Sequence, residues 1–199
     1  VGLTAILMHD IGYLTDKSDS SGSGARYTVE HEQRGKKMAV GYLREHGRDE
    51  TEIRWVSDLI RCTGPNHKIH ETDFEDANED FLGRAVCTAD YLGQMADYRY
   101  LEKLPVLFQE FEESNDHRGV PRDKRMFRSA QDLVEKTPGF WKFVRSKVLS
   151  EDCGDVYKFL ARPYPDGPNA YVEKVNRNIR QIEKMIAEDR VADLVESTS

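Results

Sequence analysis

The stretch LMHDIGYL, residues 7–14, sets a histidine beside an aspartate directly after an almost wholly apolar segment. Burying such a pair without partners is costly, so His9 and Asp10 need a cation, hydrogen-bond partners or solvent. Two readings stay open at this point. The pair is half of a metal site, or it marks a helix end, with His9 near the terminal carbonyls and Asp10 capping the next turn. Further along, His31 falls at helical spacing with Gly35, Met38, Ala39, Tyr42 and Leu43, which turns it inward and leaves room beside it one turn on. Asp90 lies on neighbouring faces with Val86, Gly93 and Asp97, and small residues surround it: Ala85, Cys87, Thr88, Ala89, Gly93 and Ala96. Such neighbours let another helix approach closely and bring ligands within about 2 Å of a shared ion. Against these stand plainer readings: His31 as a hydrogen-bonded core histidine, and Asp90 paired with Arg61 or Arg84.

The elements that must position these residues read as helices throughout. DKSDSSGSGAR (16–26) is a flexible loop, and the helix 28–47 has Thr28 as its N-cap and Gly47 as its stop. A second helix, 49–65, is capped by Asp49, striped by Ile53, Val56, Leu59 and Ile60, and ended by Gly64-Pro65. The connection 66–80 is polar and acidic, with His67 and His70 as solvated loop residues. A third helix runs from Asp80 to roughly Tyr100. Further helices are expected at 102–114 and 122–136, with one or two between 139 and 162. RPYPDGPN (162–169) is a turn-rich break. The last helix carries Val172, Val175, Ile179, Ile182 and Ile186, a stripe that packs on the body or on a second copy of the chain. No segment alternates as a strand. The expected fold is all-α, with a helical domain at 1–162, its site core at about 1–100, and a C-terminal helix at 163–199.

Composition sets bounds on function. The 199 residues are 33% charged and 38% hydrophobic, with a net charge of −7, which suits a globular domain and argues against broad nucleic-acid binding. No apolar run approaches the roughly 18 residues of a membrane span. Cys62, Cys87 and Cys153 form no CxxC pair, so a disulfide framework and a zinc ribbon are disfavoured and a reduced, cytoplasmic setting is expected. The basic cluster Arg118, Arg122, Lys124, Arg125 and Arg128 reads as a solvated helix face. Trp55, Trp141 and the many Tyr and Phe residues read as core rather than as a base-stacking platform.

Taken in order, His9-Asp10 in LMHDIGYL, His31-Glu32 followed by Gly35, and Asp90 in TADYLGQMAD resemble the HD-domain metal-dependent phosphohydrolase superfamily over roughly residues 1–100. The following YRYLEKLPVLFQEF is also similar to bacterial HD-domain proteins. The resemblance implies an all-helical bundle and metal ligands His9, Asp10 and Asp90, with Asp10 able to bridge two ions. His31 would face a second metal or the substrate phosphate and serve as a proton donor. One or two divalent ions (Mn, Fe, Ni, Co, Zn or Mg) would assist hydrolysis of a small anionic, nucleotide-like phosphoester by lowering the pKa of bound water. Lys36 and Arg99, with Lys37 and Lys103 nearby in sequence, are candidates to meet that substrate. In one respect the chain departs from the pattern: the family's first histidine should lie on an upstream helix, and none precedes His9. The opening Val is read as a chain missing that helix. The alternative is a catalytically degenerate HD fold used as a regulatory or interaction module.

Overall fold

The computed structural model describes residues 1–19, 22–64 and 67–196, and they are helical with no strand among them. Eight α-helices follow one another: α1 (Gly2–Met8), α2 (His31–Glu45), α3 (Glu50–Arg61), α4 (Ala77–Met95), α5 (Tyr100–His117), α6 (Ala130–Phe143), α7 (Ala170–Ala187) and α8 (Val191–Glu196). The all-α expectation holds. The chain divides into two compact units, one formed by Val1–Asp90 with Leu149–Val156, the other by Tyr91–Val148 with the chain from Tyr157 onward.

Local chemistry explains most helix ends. Asp49 caps α3 as expected, its carboxylate accepting from the backbone N–H of Thr51 (2.8 Å) and Glu52 (3.4 Å). Gly47 stops α2 in the left-handed region, φ +66°. Asn169 accepts from Tyr171 and Val172 to open α7, and Ser129 accepts from Asp132 to open α6.

Other expected boundaries move. Thr28 does not cap α2; its hydroxyl donates to Ala25 O at 2.6 Å, closing the 3-10 turn Gly24–Tyr27, and α2 begins at His31. Within the segment expected to be a flexible loop, Gly24–Tyr27 forms that turn and Tyr27 donates its hydroxyl to Asp19; Ser20 and Ser21 lie outside the described residues. So do Pro65, expected to end the second helix with Gly64, and Asn66 of the acidic connection. The expected helix 122–136 is instead a 3-10 turn at Arg122–Lys124 followed by α6, because Ser129 supplies a cap seven residues later. A π-helical segment, Val144–Asp152, continues from α6.

In the first unit, Ala39 and Leu43 of α2 and the α3 stripe Ile53, Val56, Leu59 and Ile60 bury against Ala5 of α1 and Val86 of α4. Met38 and Tyr42, expected on that inward face, are exposed; the i, i+4 row His31, Gly35, Ala39, Leu43 is buried, with Val40 packing beside it on the core. Segment 149–156 is held to this unit by Asp152, whose carboxylate accepts from Ile69 N (3.2 Å) and whose carbonyl accepts from Arg84 (2.6 Å). The second unit packs α6 against α5, α7 and α8. Its core is Leu104, Leu133, Val134, Trp141, Val175, Ile179, Ile182 and Val191. Ile186 of the expected terminal stripe is exposed, because α7 gives way one residue after it to the turn into α8.

A histidine–aspartate cluster as candidate functional site

The polar pair of LMHDIGYL falls where α1 ends and a 3-10 turn, Ile11–Tyr13, begins, with His9 closing the helix as its C-cap. The helix-end reading is therefore right about the backbone. It is also right that His9 meets a terminal carbonyl, but Asp10 makes no side-chain cap, and the rest of the pair's contacts lie elsewhere. His9 donates its Nδ1–H to Ile6 O (2.8 Å) and points Nε2 at Asp10 Oδ2 (3.1 Å) and Asp90 Oδ1 (3.4 Å). His31 donates Nδ1–H to Thr28 O (2.7 Å) and aims Nε2 at Asp10 Oδ1 (3.8 Å). Each histidine is thus oriented by a backbone carbonyl, and the two oxygens of Asp10 face different imidazoles. The plainer partner Arg84 is taken: it pairs with Asp80 (2.9 Å) and donates to Asp152 O.

Two glycines make this convergence possible. A Cβ on Gly12 would stand 1.8 Å from His31 O, and one on Gly35 would stand 3.2 Å from His9 O. The 3-10 turn therefore packs backbone to backbone on the start of α2, a close approach open to glycine. Two residues that the sequence reading did not single out hold it there. Arg34 donates to Gly12 O (2.9 Å) and Leu14 O (2.8 Å) while stacking on the Tyr27 ring. Tyr13 stacks on the His31 imidazole at 4.4 Å. Tyr13 is inside LMHDIGYL and Arg34 is one turn beyond His31, yet neither position carries a signal before its backbone partner is known.

Electrostatics tie the cluster together. Burial would push the His9 imidazolium down, but the hydrogen bonds and charges of Asp10 and Asp90 outweigh it and carry His9 up to about 10. Burial likewise pushes Asp10 up, and His9 and His31 overcome it, leaving Asp10 below the usual carboxylate range. His9 thus favours its charged form beside these two carboxylates. Glu32, beside His31, is held above its ordinary value by burial, against the opposing charges of His31 and Arg61.

The donor types suit a divalent ion of borderline hardness, with two imidazole nitrogens and two carboxylates. Their fixed Nδ1–H bonds match the outer support that metal-ligating histidines receive. Among the described residues no three His, Cys, Asp or Glu side chains form a ready-made metal cage. The contacts run instead as a chain, His31 to Asp10 to His9 to Asp90.

The remaining expected residues lie elsewhere. Lys36 follows Gly35 on α2 and makes no ion pair among the described residues, whereas in the second unit Arg99 pairs with Glu102 (3.1 Å) and Lys103 with Asp97. His67 corrects an expectation: its side chain is only 7% exposed and bonds Thr72 Oγ1 at 2.6 Å, because Ile69–Glu71 folds as a 3-10 turn over it. His70 is solvated as expected.

Fold and site together define an all-helical protein with a half-buried imidazole–carboxylate cluster between a helix end and a helix start. Residues 17–153 match the model of the Npun_R2479-like family, and the chain belongs to that family. That span includes His31 and Asp90 and begins after His9 and Asp10. No curated protein and no solved structure matches the chain.

Proposed function

We propose that the chain is a divalent-metal-dependent phosphohydrolase of the HD-domain type, acting on a small nucleotide-like phosphoester. The observation that carries this reading is the orientation of His9 and His31. Both imidazoles give Nδ1–H to a backbone carbonyl and turn Nε2 toward opposite oxygens of one carboxylate, Asp10. In this reading His9, Asp10 and Asp90 hold the ion, and its binding exchanges with the proton on His9. A bound divalent ion supplies activation of water and neutralisation of phosphoryl charge. The chain's own residues do the rest. Asp10 presents an oxygen to each histidine, Asp90 meets His9 at the same Nε2, and His31, with Nε2 aimed into the cluster, takes the role of proton donor to the leaving oxygen. Tyr13 and Thr28 O keep that ring in one orientation.

A second reading, a catalytically degenerate HD fold serving as an interaction module, is favoured by one observation. Among the described residues the cluster's contacts form a chain, His31 to Asp10 to His9 to Asp90, rather than a cage. Elemental mass spectrometry of the protein purified after growth with Mn, Fe and Zn separates the two, read beside Asp90→Asn and p-nitrophenyl phosphate turnover. The enzyme reading expects about one or two ions per chain, a loss of at least tenfold in bound metal in the variant, and matching loss of turnover. A wild-type chain that stays metal-free after incubation with Mn sinks it in favour of the module.

A further inference from the structure

The second unit contains a cavity of about 480 Å³ between α7 and the turn joining α4 to α5. That is within the usual size range of small-molecule sites. One stripe of α7 lines it: Tyr171, Lys174, Arg177, Asn178 and Gln181, at helical spacing; Tyr98 faces them from the turn. We propose that this cavity binds an anionic ligand bearing an aromatic ring, a nucleoside diphosphate in chemical class, at a site distinct from the histidine–aspartate cluster.

Three features point to that chemistry. First, Lys174 and Arg177 are exposed and have no ionic partner among the described residues. The acidic residue at the cavity, Asp97, is already paired with Lys103 and accepts from Arg99 N at 2.8 Å. The cavity is therefore a net cationic spot on a chain whose charge is −7, and paired Lys and Arg side chains are suited to phosphate groups. Second, the end of α4 would ordinarily present carbonyls and a negative dipole end that repel an anion. Asn178, itself buried, donates its amide to Met95 O (2.8 Å) and Asp97 O (2.9 Å), satisfying both. Third, the aromatic residues here are not core. Tyr98 is 89% and Tyr171 45% exposed; Lys174 Nζ lies over the Tyr171 ring at 5.8 Å, so Tyr98 is the ring offered for base stacking. This corrects the expectation that the tyrosines serve packing.

The test is a calorimetric titration of the full chain with ADP and, separately, with inorganic pyrophosphate, both in EDTA so that the proposed metal site does not contribute. Saturable ADP binding with a Kd below about 1 mM is expected, weakened at least tenfold by the double variant Lys174→Gln, Arg177→Gln. Both side chains are exposed, and an unchanged melting temperature checks that the variant is folded. Tyr98→Ala should weaken ADP but leave pyrophosphate unaffected. Absence of ADP binding overturns the proposal, as does binding that the double variant leaves unchanged. ADP binding no tighter than pyrophosphate binding, and itself insensitive to Tyr98→Ala, overturns the aromatic half and hence the nucleotide class. A metal-free wild type in the preceding experiment leaves this result standing, so the two readings fail separately.

Discussion

At the scale of single residues, the site depends as much on side chains that are absent as on those present. Gly12 and Gly35 let the backbone of the Ile11–Tyr13 turn rest on the first turn of α2, which carries Asp10 to His31. Replacing Gly12 with Ala drives a methyl group to 1.8 Å from His31 O, where only backbone can move. The expected cost is about 3 kcal/mol, at the upper end of overpacking, read as a lowered urea midpoint. Gly41 is the contrast. It lies in α2, and a Cβ added there would meet nothing within 4 Å, so Gly41→Ala should stabilise by about 0.5–1 kcal/mol through helix propensity. Equal effects from the two substitutions would contradict the close approach that builds the cluster.

Among the elements, helix ends decide what each stripe can reach. Asp49 satisfies two otherwise unpaired amides at the start of α3, the helix whose Ile53, Val56, Leu59 and Ile60 form the centre of the first unit's core. Asp49→Ala should therefore cost about 1 kcal/mol, measured by chemical denaturation. Asp49→Ser should recover most of it, since a hydroxyl accepts the same bonds. If Ser gains nothing over Ala, the cap is not what starts α3. The start of α2 shows the opposite case. Thr28 has the right side chain for a cap but spends its hydroxyl on Ala25 O, and its carbonyl on His31. The result is a helix that opens at His31 itself.

For the whole molecule, no helix among the described residues is long and apolar enough to cross a membrane. All three cysteines are free and buried. Burial pushes the Cys62 thiol up to about 12, while the neighbouring Cys153 and burial together raise Cys87. Thiols so placed are poor nucleophiles. Cys153 is instead drawn down by its contact with Cys87, but it is wholly buried, so all three thiols should react slowly with an aromatic disulfide reagent and titrate fully only in denaturant. Rapid titration of even one thiol in the native state would contradict the packing around segment 149–156, where Cys153 is fully buried.

By itself the sequence determined the all-α class, the Asp49 cap, the Gly47 stop and four of the six inward residues of α2 (His31, Gly35, Ala39 and Leu43), because these rest on local rules: helical periodicity, side-chain capping and glycine's access to positive φ. His9, Asp10, His31 and Asp90 were also legible as candidates, since polar residues in apolar or small surroundings need partners wherever the chain takes them. Which partners they found was a tertiary matter. Asp90 meets His9 from far along the chain, and Arg34 locks Gly12 O across 22 positions. His67 became buried, and Tyr98 and Tyr171 stayed open, according to which neighbours the fold brought over them. Periodicity tells which way a side chain points along its own helix. Only the packing of other helices decides whether that direction leads to a core, a carboxylate or water.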